Sequence, residues 1–240
     1  MKNIVINETV IQLRKICRLI ANVKAQQIPN LPHYGHESLF FQNNGITTGL
    51  INNNKEIKID LFNGLLLYYD NESTQIIDLT DKNIYLKFRH LFSHPLEMLQ
   101  IDNLERLKLE DLEDYFGFIS KANLSLEVFR SKLKGNFTLV HLWPDGFDLS
   151  VEWFTGIEDQ QIGIGISPGD KDFSNAYLYV NPYPFNKGFL KEKLPIGIWN
   201  TSKWNGIKVE WYDLEKLYVK DISNIIYDLF DRTKTLFNYS

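Results

Sequence analysis

Two Asn-Gly pairs, Asn44-Gly45 and Asn63-Gly64, lie between short apolar runs in the first third of the chain. Nothing else in the sequence constrains the fold as much. Asn-Gly accepts the positive φ angles that let a tight turn match the twist of the strands on either side. Residues 38–43 and 46–51 therefore read as one hairpin. In the next, Ile57, Ile59 and Leu61 alternate with polar residues, and residues 65–69 return after the second Asn-Gly. Together residues 38–79 are expected to form an antiparallel meander. A third turn signal, Pro144-Asp145-Gly146, separates apolar residues 137–143 from 147–154, with proline presetting φ and glycine able to take φ > 0. Further strands are expected at residues 161–166, 176–180 and 207–211.

Helical spacing alternates with these strands. Asn7 is a good N-cap, and Val10, Leu13, Ile16, Cys17, Ile20 and Val23 then recur on one face, predicting a helix over about residues 8–25. A short helix over 84–92 is expected to end at His94-Pro95, because the residue before proline is pushed out of the α region. A longer one runs from Leu112 through Leu133 to Gly135, a natural C′ residue. The last covers 222–237, capped by Asp221. The expected fold class is α+β, with mostly antiparallel sheets packed with helices. The expectation is a single domain over 1–240, whose order admits two pseudo-repeated helix, meander, helix halves at 1–95 and 108–240, joined by a linker near 95–110.

Composition excludes some partners. With 44% apolar and 14% aromatic residues there is ample material for a core. Lys and Arg number 26 against 30 Asp and Glu, with no basic cluster, so nucleic acid is not an expected partner. No apolar run approaches the roughly 18 residues of a membrane span. Residues 1–11 lack the apolar stretch of a secretory signal, and the single cysteine, Cys17, falls on the apolar stripe of the first helix, so a cytoplasmic protein is expected.

Several residue groups suggest chemistry. Gly165-Ile166-Ser167-Pro168-Gly169 has the spacing of a nucleophile elbow, but all five histidines precede Ser167 and no helix is expected after Gly169. His90 and His94 are one helical turn apart, and His33 and His36 straddle Tyr-Gly, yet spacing alone names neither a metal nor a cofactor. The densest group is His141-Leu142-Trp143-Pro144-Asp145-Gly146-Phe147-Asp148. A three-residue loop there sets His141 and Asp148 on opposite faces; a four-residue loop sets them against each other as a general-base pair. In the first meander His36 and Thr47 share the polar face of a hairpin, and Asp60 alternates away from Ile57, Ile59 and Leu61. Tyr177, Tyr179 and Tyr183 offer rings with hydroxyl handles.

These observations favour a small-molecule site, binding or enzymatic, in a cleft where the two halves meet. His141 or His36 would be the acid or base there, Asp148 or Asp60 would orient it or join a metal shell, and Thr47, Trp143 and Tyr179 would hold the ligand. The alternative is a non-catalytic scaffold in which the same aromatics pack a homodimer interface.

The order of motifs also resembles a bacterial and archaeal family catalogued as domain of unknown function five-nine-nine-six. The likeness spans most of the chain. It is carried by His36 with the strand after it, Gly45-Ile46-Thr47-Thr48-Gly49, residues 57–60, His141, Phe147-Asp148-Leu149, Ser167-Pro168-Gly169-Asp170 and residues 177–184. The chain departs from that pattern in its Trp143-Pro144-Asp145-Gly146 turn and in the compact linker at 95–110. The resemblance implies no activity, cofactor or partner, and marks these positions as places to look.

Overall fold

A computed structural model describes residues 7–52, 54–70 and 73–237. They form an α+β protein with two antiparallel sheets. The chain divides into two compact units. The first runs up to Ser120 and takes in His141–Phe147; the second holds Lys121–Val140 and the residues from Asp148 onward.

In the first unit, α1 (Glu8–Gln27) starts where the sequence predicts, with Asn7 Oδ1 accepting the Val10 N–H at 2.9 Å. Strands β1 (Phe40–Gln42), β2 (Gly45–Thr47), β3 (Lys55–Asp60), β4 (Leu65–Asp70) and β5 (Ser73–Asp78) pair in sequence order as the expected meander. Ile46, Ile59, Leu66 and Ile77 lie opposite one another across four strands, and all four are buried. That row, with Leu13, Ile16, Cys17 and Ile20 of α1, supplies much of this unit's core.

The first turn sits one residue earlier than the Asn-Gly pair suggests. Gln42 pairs with Gly45, so Asn43 and Asn44 form the two-residue loop, both with positive φ (46° and 65°). Moving the loop by one residue shifts the pairing by two, so each side chain stays on its expected face. Gly45 is instead needed inside β2, where a Cβ would run into the carbonyl oxygen of Ile59 on the neighbouring strand.

Helix α2 (Ile84–Met98) passes through Pro95 instead of stopping before it. Phe92 leaves helical geometry (φ −131°, ψ 37°), so a second helical stretch begins after it and Pro95 falls in the first turn of that stretch, where its missing N–H is not required. Helix α3 (Leu109–Arg130) contributes its first half to this unit, where Tyr115 stacks on Phe147 with ring centroids 5.3 Å apart. Strand β7 (His141–Trp143) joins the unit through a bridge between Leu142 and Leu39, with N–H to O distances of 2.8 and 2.9 Å.

In the second unit, β6 (Asn136–Phe137), β8 (Asp148–Phe154), β9 (Gln161–Ser167), β10 (Tyr177–Tyr183), β11 (Ile198–Asn200) and β12 (Gly206–Glu210) lie in the order β11-β12-β10-β9-β8-β6. Strand order thus differs between the two sheets. Alternation gives this sheet one apolar face, formed by Leu149, Val151, Trp153, Ile162, Ile164, Ile166, Leu178, Val180, Ile207 and Val209, all buried. Helix α4 (Val219–Phe237) turns Ile222, Ile226, Leu229 and Phe230 inward at helical spacing, and Phe230 meets Trp153 and Phe129 at 5.4 and 5.5 Å. Among the described residues no helix is long and apolar enough to cross a membrane.

Candidate functional site

The face of the second sheet opposite α4 carries the chemistry. Along β8 it presents Asp148, Ser150 and Glu152, and along β10 Tyr177 and Tyr179, while between them β9 offers glycines. Register aligns them: Ser150 and Tyr179 flank Gly165, Glu152 faces Gly163, and Tyr177 faces Ser167. On the far side Lys208 and Glu210 of β12 pair with Tyr179 and Tyr177.

The glycines are what let these side chains lie down across the strand. A Cβ at Gly165 would collide with the Tyr179 hydroxyl and come within 2.6 Å of the Leu149 carbonyl oxygen. One at Gly163 would sit 2.9 Å from a carboxylate oxygen of Glu152. Across this bare strip the Tyr179 hydroxyl reaches β8 and donates a short hydrogen bond to Asp148.

Electrostatics divides the roles. Burial pushes the Glu152 carboxyl up to about 7, helped by the charge of Asp148 and opposed by a hydrogen bond from Ser150. Burial and the charges of Asp148 and Glu152 raise Tyr179 well above its ordinary range, so it remains a hydrogen-bond donor. Tyr177 is also raised, by burial and by Asp170, to which it donates at 2.8 Å. Trp204 stacks on Tyr177 (6.1 Å, 18°) and meets Tyr179 edge-on, walling this end of the face. Lys208 is buried, ion-paired with Glu210, and lies 4.5 Å above the Phe173 ring.

A second polar group forms in the first unit. Lys24, at the end of α1, is only 3% exposed. Its ammonium donates to the carbonyls of Gly35 (3.0 Å) and Ser38 (2.6 Å) and lies over the Phe40 ring at 4.9 Å. Burial lowers its pKa to about 8. The Ser38 hydroxyl donates to Gly35 O at 2.9 Å, which leaves it to accept Nδ1–H of His141 at 2.6 Å. That assigns the His141 proton to Nδ1. Burial, then the charges of Lys24 and His33, pull His141 down to about 4, so it is neutral at pH 7 and sits between the rings of Phe40 and Trp143 (5.2 and 5.4 Å).

His36 is buried, and its Nδ1 accepts the Leu31 N–H at 3.2 Å. Thr47 donates to Glu56 at 2.5 Å and accepts the Gly49 N–H at 2.9 Å. Asp60 accepts the N–H groups of Phe62 and Asn63, both at 3.0 Å, and the Asn63 side chain at 2.8 Å, closing the β3–β4 turn. Burial raises the Asp60 carboxyl, but these hydrogen bonds and Lys58 outweigh it, and the net shift is downward.

His141 and Trp143 are thus neighbours in the first unit, and Asp148 and Tyr179 are partners in the second. The loop after β7 has four residues, 144–147, with Phe147 at φ 59° and its N–H on Trp143 O at 2.7 Å. His141 and Asp148 are separated by six residues, 142–147, so a loop of this length does not itself pair them, and Nδ1 of His141 engages Ser38 rather than a carboxylate. Strand β9 runs from Ser167 into a turn and not a helix, with Ser167 Oγ accepting the Gly169 N–H at 3.1 Å, so the nucleophile-elbow spacing has no elbow around it. Among the described residues no group of three or more His, Cys, Asp or Glu is arranged to hold a metal ion.

Glu152, Ser150 and Lys24 were not singled out by sequence reasoning, although each left a signal. Glu152 and Ser150 alternate with the apolar positions of β8 and face a strand with glycine at two alternate positions. Lys24 lies four residues after Ile20 and seven after Cys17, on the apolar stripe of α1.

Comparison with protein-family models, with curated proteins and with solved structures gave no match.

Proposed function

We propose that the protein binds a small polar molecule on the glycine-floored face of the second sheet and transfers a proton to or from it. Glu152 is the acid or base: a carboxyl poised near neutrality is half ionised at working pH and exchanges protons in either direction. Tyr179, held by Asp148, is the fixed hydrogen-bond donor that orients the ligand or steadies developing negative charge. Tyr177 and Trp204 supply the wall against which an apolar or planar part rests. His141, pulled down to about 4, is too weak a base for this task at neutral pH. The observation that carries the reading is the alignment of Glu152 and Tyr179 over Gly163 and Gly165, two groups of different proton affinity laid across one bare strand.

The test is ligand-observed NMR with a panel of small polar metabolites against the wild-type protein, Glu152→Gln and Tyr179→Phe. Binders whose affinity falls tenfold or more in both variants support the reading. A panel with no binder, or with binders indifferent to both changes, refutes it.

A further inference from the structure

A groove in the first unit, separate from that face, has the make-up of a ligand site. It is a partly open groove of about 210 Å³. Arg18, Ala21, Asn22 and Ala25 of α1, which recur at helical spacing, line it together with Glu37, Leu99, Trp143, Pro144 and Asp145. The two alanines contribute little side-chain bulk, and the Trp143 indole supplies a flat apolar surface.

The polar atoms at the rim are unequally used. The Arg18 guanidinium is ion-paired with Asp145 through Nε, at 2.9 Å, and donates no hydrogen bond among the described residues. Its two terminal amino groups therefore remain as a fork matched to a carboxylate. Asn22 Oδ1 is occupied by Gln26 Nε2 at 2.8 Å, which fixes the amide and leaves its N–H₂ group as a second donor on the same helix face. Glu37, also in the lining, 59% exposed and 3.5 Å from His36 Nε2, offers acceptor oxygens.

We propose that this groove binds a single-ring aromatic carboxylate with a hydrogen-bond donor at its far end, such as an amino- or hydroxy-substituted benzoate. Size sets the ring count: a cavity of about 150 Å³ holds benzene, so the groove takes one ring and its substituents but not two fused rings. The carboxylate meets Arg18 and Asn22, the ring packs on Trp143, and the far donor meets Glu37.

The probe is 4-aminobenzoate, titrated by saturation-transfer NMR and calorimetry, with neutral 4-aminobenzamide as its match in shape. A molecule of this size is expected to bind with Kd on the order of 100 µM. Arg18 is partly exposed, so Arg18→Gln leaves the fold intact; it should weaken binding at least tenfold, as should replacing the carboxylate by the amide. Glu152→Gln should leave this binding unchanged, which separates it from the function proposed above. No binding by 4-aminobenzoate at millimolar concentration, equal binding of acid and amide, or affinity indifferent to Arg18→Gln would overturn the proposal.

Discussion

Replacing Glu152 with glutamine removes an ionisable proton and little else, since glutamine matches the shape and still accepts the hydrogen bond from Ser150. In the folded chain the carboxyl titrates at about 7 against an ordinary value of 4.5, chiefly because it is buried. Between those values the unfolded chain has released a proton that the folded chain keeps, so this residue makes stability fall as pH rises from 4.5 to 7 and level off above. At roughly 1.4 kcal/mol per pKa unit the ceiling is about 3 kcal/mol, and residual solvent contact reduces it to about 2 kcal/mol. Glutamine pays no such penalty. Glu152→Gln should thus be about 2 kcal/mol more stable than wild type at pH 8 and within about 0.5 kcal/mol of it at pH 4.5. Urea unfolding of both proteins across that range, followed by circular dichroism and tryptophan fluorescence, measures the difference while other titrating groups cancel. A stability difference that does not change with pH, or a loss of stability at pH 8, would show that Glu152 is not held neutral by burial.

Four further outcomes are expected. Gly165→Ala places a methyl group against the Tyr179 hydroxyl and the Leu149 carbonyl; overpacking of this kind costs about 1–3 kcal/mol, and a lowered urea midpoint with loss of the shifted Tyr179 phenol signal should report it. Lys24→Met removes a positive charge that helps hold His141 near 4, so imidazole proton NMR should show its titration moving up. In wild type, His141 should make stability fall as pH drops from 6.5 towards 4, because the unfolded chain takes the proton first. Asp60→Ala removes three hydrogen bonds that close the β3–β4 turn; it should cost about 1 kcal/mol by thermal denaturation while leaving Glu152 titration unchanged.

Local chemistry was legible in the sequence where one segment decides its own conformation. Asn7 capped the helix it preceded, and the alternating residues of the first meander found their expected faces. Contacts between segments were harder to read. Gly45 looked like a turn residue but answers to the carbonyl of Ile59, fourteen residues on and on another strand. Pro95 looked like a helix stop, and the kink at Phe92 gave it a first-turn position instead. The site divides the same way. Asp148 and Tyr179 were candidates separately, but their bond across β9 depends on Gly165, and the strand register that places it there is set by three segments at once. For Glu152 the sequence shows an acid alternating with apolar residues, a pattern that ordinarily faces water; what raises its pKa is burial, which no single strand determines.

Glu152 titrates near neutrality on the same face as Tyr179 and Asp148. The most direct test is a pH titration of the side-chain carboxyl carbon by NMR, in protein labelled at glutamate and assigned by the Glu152→Gln variant. A midpoint for Glu152 near 7 is expected, moving downward in Asp148→Asn, where the neighbouring charge is gone. A midpoint near 4.5 that ignores Asp148→Asn would contradict it.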